Sequence, residues 1–221
     1  MTFIVAASLK DCAILAADRE TFAVEAGAST ATGNPARKIT KTANGFITAS
    51  GFVELLDPVK QRFTQENPET IGEMLEIIEA EQEAFRRRHW YTSGTADWIA
   101  KTSWKLTLPM SISGENTIIS AAYDPASSGL LGISPGTAIF TFPDAVSESE
   151  QAIVTARINQ ALAKEDVGVV ISAIQASVEF LIAQGRPVSR EIDSPSTRFQ
   201  SWLNSTPMVL AVLLGSGLNH S

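Results

Sequence analysis

A four-layer sandwich of the α+β class, with two stacked sheets each covered on its outer face by a helix pair, is the architecture this sequence predicts. Three observations lead to it. Segments with strand and helix patterning follow one another as strands, two helices, strands, two helices and a last short strand. Each helix pair needs an apolar sheet face to lie on, so two pairs separated by strands call for two such faces. The 221 residues, 44% hydrophobic and 19% charged, can bury one substantial core, and no repeat or low-complexity tail interrupts them. Residues 1–221 are therefore read as a single domain.

The elements can be justified in order. Residues 3–9 and 12–17 are rich in Ile, Val, Leu and Ala, and Lys10-Asp11 between them reads as a hairpin tip. If those two residues form the turn, Leu9 pairs with Cys12, Thr2 falls opposite Arg19 and Asp18 opposite Phe3. Sequence then fixes proximity, while a single bulge would reverse which face Asp18 takes. Residues 26–35, small and polar with two glycines and a proline, read as a loop. Residues 37–41 and 45–50 read as a second strand pair. From Val53 to Arg88 the apolar spacing turns helical. Leu55, Leu56, Val59 and Phe63 suit one helix; Ile71, Met74, Leu75, Ile78 and Phe85 suit another, with Asn67 as its N-cap and Pro68 as its first residue. Six glutamates between Glu69 and Glu83, followed by Arg86-Arg87-Arg88, complement that helix's dipole and read as a solvated face. Trp98, Trp104, residues 118–123 and residues 137–142 are assigned to strands, and 147–162 and 169–183 to helices. The apolar run at 207–214 reads as a buried strand or a docking tail.

Composition excludes several classes. A net charge of −7 is unsuited to a phosphate-binding face, so no nucleic acid partner is expected. The single cysteine, Cys12, has no mate for a disulfide or a Cys-based metal site. Neither metal nor cofactor is expected, and a reducing cytoplasm fits best. No basic segment precedes residues 3–9, and Lys10-Asp11 interrupts them too soon for a signal-peptide core. The run at 207–214 is far short of the roughly 20 apolar residues that span a bilayer, so no membrane partner is expected. Thr2 is small enough for the usual removal of Met1, and a free N-terminal threonine can act as a catalyst.

Thr2-Phe3-Ile4-Val5-Ala6, Ala13-Ile14-Leu15-Ala16-Ala17-Asp18-Arg19, Arg37-Lys38-Ile39-Thr40-Lys41 and Ile47-Thr48-Ala49-Ser50-Gly51 come in an order and spacing that resembles the first half of proteasome β-type subunits. The wider group is the N-terminal-nucleophile hydrolases, including bacterial proteasome-like peptidases. The specific likeness covers roughly the first quarter of the chain, and the helix pair after Gly51 extends it to about residue 90. The resemblance implies Thr2 as nucleophile, Lys38 as the lysine beside it and Asp18 as the acid that holds that lysine. Gly51 would offer its N–H to an oxyanion. Ala49 would form the open floor of the pocket for the substrate side chain before the scissile bond, with the apolar Ala36 and Val53 near it, favouring Leu, Phe or Tyr there.

The chemistry is coherent. The base nearest the Thr2 hydroxyl would be its own α-amine, with an ordinary pKa of about 7.7–8.0, and a neighbouring ammonium favours the neutral amine. Attack on a carbonyl, an acyl ester and hydrolysis by water would follow.

The second half departs from the family pattern. A Gly-Ser-Gly-type turn and an Asp-x-x-Ser-Gly signature are both missing in clean form; Asp193-Ser194-Pro195-Ser196 has only the spacing, and Ser128-Gly129 and Ser134 are no better placed. Gly132-Ile133-Ser134-Pro135-Gly136 satisfies a rival G-x-S-x-G pattern. There, however, Pro135 lacks the N–H that the oxyanion hole requires, and neither His89 nor His220 is suitably placed as a base. It reads as a turn between strands. The resemblance thus implies a threonine hydrolase that cleaves peptide bonds of a peptide or unfolded-protein substrate within a homo-oligomeric ring. The alternative is a catalytically inactive subunit of the same kind.

Overall fold

A computed structural model describes residues 2–10, 12–25, 28–32, 36–42, 45–112, 115–126, 129–190 and 210–214. β1 (Ile4–Ser8) and β2 (Cys12–Ala17) make the opening hairpin, and β3 (Phe22–Glu25) and β4 (Ala28–Ala31) make a second ribbon. β5 (Thr40–Lys41) and β6 (Phe46–Ser50) lead into α1 (Val53–Glu66), α2 (Ile71–Arg88) and the short α3 (Thr95–Ala100). Next come β7 (Ser103–Ile112), β8 (Glu115–Asp124), β9 (Gly129–Ile133) and β10 (Thr137–Thr141), then α4 (Glu148–Leu162), α5 (Val167–Ala183) and β11 (Leu210–Leu214).

The strands form a four-stranded sheet, β10-β1-β2-β11, and a five-stranded one, β5-β6-β7-β8-β9. Strand parity decides which layer each residue joins. Ile47, Ala49, Trp104, Leu106 and Tyr123 face α1 and α2, where they pack with Val59, Phe63, Met74 and Ile78. β1 and β2 are buried along their whole length, which is why they read as continuous apolar runs instead of alternating ones. They pack with Val154, Ile158, Ile174 and Val178 of α4 and α5. Between the sheets, the Ser120 hydroxyl donates to the Ala7 carbonyl at 3.2 Å. The result is the expected α+β sandwich of four layers. Among the described residues no helix is long and apolar enough to cross a membrane.

The structure corrects several local expectations. Asn67 does not start α2; it ends α1 in the left-handed conformation (φ 49°, ψ 57°), with its N–H on the Phe63 carbonyl at 3.1 Å. Asparagine tolerates that conformation, and Pro68 follows because it cannot continue the helix. Thr70 is the true N-cap of α2, in a reciprocal capping box with Glu73. Trp98 lies in α3, not in a strand, stacked on Phe52 with ring centroids 4.8 Å apart. The stretch read as a loop contributes β4, and of residues 37–41 only Thr40 and Lys41 are strand. The apolar run near the C-terminus contributes β11, paired antiparallel to β2. The α2 glutamates behave as a solvated face, with ion pairs from Arg62 of α1 to Glu81 and from Arg87 to Glu83.

One charge is out of place in the core. Lys105 is 2% exposed on the inter-sheet face of β7, and burial pushes its ammonium down to about 8, against a smaller opposing pull from Asp124. The unfolded chain binds that proton more tightly, so stability should rise with pH through the window from about 8 to 10.5. The full gain is about 3 kcal/mol, and the cost it relieves is wholly present below pH 8. Urea titrations across that window should show the rise in wild type and its absence in Lys105→Met.

Candidate active site

The β1-β2 hairpin brings Thr2 and Asp18 together. Ile4 pairs with Ala17, and Leu9 N–H meets the Cys12 carbonyl at 2.8 Å, the register a two-residue turn demands. Asp18 therefore stands opposite Phe3, and its N–H donates to the Phe3 carbonyl at 3.1 Å. The facing left open by sequence is resolved by the side chain itself. Asp18 Oδ1 accepts the Phe3 N–H at 3.0 Å, in the place where a strand carbonyl would otherwise sit. The carboxylate thus lies in the plane of the ladder, and its 0% exposure follows from that position.

Lys38 enters from the extended segment before β5. Thr48 of β6 donates its hydroxyl to the Lys38 carbonyl at 3.0 Å, and Ala36 N–H reaches the Arg19 carbonyl at 3.0 Å. These bonds fix the lysine backbone beside the end of the hairpin. Lys38 Nζ donates to Asp18 Oδ1 at 3.0 Å, to Thr2 Oγ1 and to the Glu20 carbonyl. Among the described residues these three acceptors converge on one ammonium. Thr2 and Lys38 are each 7% exposed, so these charge-assisted bonds act in a medium far less screening than water. A positive charge held on Oγ1 favours the alkoxide over the hydroxyl.

A fourth partner escaped the sequence reading. The Ser189 N–H, in the segment after α5, donates to Asp18 Oδ2 at 3.3 Å. A backbone donor leaves no signature in residue type. Asp193, Ser194, Ser196 and Ser128, considered for second-half roles, lie outside the described residues. Ser134 sits in the turn between β9 and β10, where Gly136 N–H binds the Ser8 carbonyl at 2.8 Å, the end of β1 away from Thr2. The G-x-S-x-G stretch is thus a turn, and no helix begins at its serine.

Gly51 follows β6 with φ +146°, and a Cβ there would lie 2.7 Å from Thr102 Oγ1 and 3.1 Å from Thr102 Cα. Both the backbone conformation and the space demand glycine. Gly51→Ala is expected to cost about 1–3 kcal/mol, read as a fall in thermal midpoint. Ala49 is buried opposite Trp104 in the layer under α1. Val53 is exposed at the start of α1 and Ala36 is half-buried.

The layer order and the opening hairpin are those of a proteasome-like fold, as comparison with solved structures shows. The chain is similar to the BPH protein of Thiobacillus denitrificans, solved in complex with epoxomicin, with a TM-score of 0.59, 11% identity, and coverage of 97% of this chain and 99% of that one. It is also similar to a Gly-1 mutant of Anbu from Hyphomicrobium sp. strain MC1 (TM-score 0.56, 13% identity, 87% and 80% covered). A third similar structure is Anbu, an ancestral beta-subunit, from Yersinia bercovieri (0.50, 14%, 86% and 79%). No family model matches the sequence, and no curated protein matches it.

Proposed function

We propose that this chain is a threonine-type hydrolase of peptide bonds, made active by removal of Met1. The observation that carries the reading is the Lys38 ammonium held jointly by Thr2 Oγ1 and the buried Asp18 carboxylate. In the proposed cycle the freed α-amine of Thr2 takes the hydroxyl proton as Oγ1 attacks the substrate carbonyl. The same amine returns the proton to the leaving amine, and water then hydrolyses the acyl ester. Lys38 supplies a fixed positive charge beside Oγ1, with no reorganisation needed at the moment of attack. The Gly51 N–H receives the oxyanion. Ala49 forms the apolar floor beside the scissile bond, favouring Leu, Phe or Tyr in the substrate, and Ala49→Met should shift cleavage toward smaller side chains.

The expected setting is a homo-oligomeric ring in the cytoplasm, acting on peptides or unfolded protein. The name of the Yersinia structure, a beta-subunit, supports an assembly, and light scattering at micromolar concentration would test it. The competing reading is an inactive subunit that retains the fold, and the lack of a clean Gly-Ser-Gly-type turn and Asp-x-x-Ser-Gly signature stands on its side. Epoxomicin, the ligand of the Thiobacillus structure, separates the two. Intact mass should show Met1 removed and one inhibitor added, with the adduct on the Thr2 peptide. Protein that has lost Met1 yet takes no adduct would overturn the proposal.

A further inference from the structure

β9 and β10 are the edge strands of the two sheets on one side of the sandwich. Among the described residues β9 pairs with β8 alone and β10 with β1 alone, so each turns a row of backbone N–H and C=O groups away from its sheet. Edges of this kind are ordinarily guarded by a charge, a proline within the strand or a covering element. Here the chain from Gly129 to Pro143 holds no charged residue, and Leu130 and Leu131 of β9 are 43% and 61% exposed.

Strand parity sends Leu130 and Leu131 to opposite faces of β9. Leu131 stands opposite the small Ala122 on the face toward the other sheet. Between the two edges lies a cleft of about 490 Å³ with Leu130, Leu131, Ile139 and Phe140 in its walls. The charged groups of that cleft are engaged within the protomer: Lys105 donates to Ser103 Oγ at 2.6 Å, and Asp124 Oδ1 accepts the Ala126 N–H at 3.0 Å. What the edge offers outward is therefore apolar side chains and unpaired backbone. A charge brought against it would be stranded without a counter-charge, so the partner must be uncharged there as well. The same surface meets that condition, and it carries both a recess and, on the rim, a largely exposed leucine that can enter one. A recess and a projection on one surface make it self-complementary, each copy giving what it receives.

We infer that this edge is the contact surface for a second copy of the chain related by a two-fold axis, with Leu131 of each copy set in the β9-β10 cleft of the other. The inference is independent of the threonine chemistry, and of the assembly reading above it needs only that copies associate. A two-fold contact on its own closes at a pair; added to a ring, it joins two rings face to face.

Sedimentation at micromolar concentration tests this with two variants. Leu131→Asp puts a charge at the centre of the contact in place of a side chain that the protomer leaves mostly exposed. Gly132→Lys puts one on the same strand where an added Cβ would meet no atom within 4 Å, so the protomer has room for it. Wild type should contain an even number of protomers, and each variant half that number with unchanged circular dichroism. The inference is overturned if wild type is a monomer or holds an odd number of protomers. It is equally overturned if either folded variant keeps the wild-type mass, the result expected were the cleft a site for an extended peptide, or if a variant takes a ring directly to single protomers, which would make the contact head-to-tail. A ring that keeps its mass in both variants leaves the ring reading standing and removes this one, whereas a plain pair split by both does the reverse.

Discussion

Thr2→Ala is expected to abolish peptide cleavage, by at least about 10⁴-fold in turnover, with the thermal midpoint nearly unchanged. The variant removes only Oγ1 and a methyl group from a position at the edge of the core, and alanine still permits removal of Met1. Thr2→Ser keeps the hydroxyl on Lys38 and should retain measurable turnover. A fluorogenic-peptide assay on all three proteins, each with its N-terminal mass verified, reads the difference. Turnover of Thr2→Ala equal to wild type would remove the threonine from the chemistry.

Lys38→Ala is expected to be as damaging to turnover and, unlike Thr2→Ala, to stability. Asp18, with no exposure, keeps the N–H donors of Phe3 and Ser189 but loses its cation, and breaking a buried pair on one side costs about 3 kcal/mol. Adding Asp18→Asn to Lys38→Ala removes the stranded charge, so the double variant should recover part of the stability and none of the turnover. That divergence separates a catalytic lysine from one that only holds the fold. Lys38→Arg should also fail, because a planar guanidinium cannot meet three acceptors arranged around one nitrogen. Full turnover in a folded Lys38→Ala protein would refute the assignment.

Much of the site was legible because the hairpin register follows from two residues. With Lys10-Asp11 as the turn, Asp18 had to meet Phe3, and it does. The direction of the carboxylate was not legible, since strand parity describes side chains that leave the ladder and Asp18 stays within it. Ser189 was beyond reach for a different reason. It lies 171 residues from Asp18 and contributes a peptide N–H that nearly any residue would provide. Asn67-Pro68-Glu69 misled because the same residue types that open a helix also close one, and only the left-handed φ tells which. Trp98 is grouped by the sequence reading with the strands that follow it, whereas Phe52 stacking and a six-residue helix decide its place. The layer order survived these local errors because it rests on long apolar periodicities that no single cap or turn can reverse.

The Ser189 bond to Asp18 also has a consequence for the timing of synthesis. Thr2, Asp18 and Lys38 leave the ribosome early, yet Oδ2 of the buried carboxylate takes a hydrogen bond from Ser189. A nascent chain that has formed only the β1-β2 hairpin and the Lys38 segment holds the aspartate without that donor. The Ser189 bond can form only after the segment that follows α5 has been made, so Asp18 gains that donor late in synthesis.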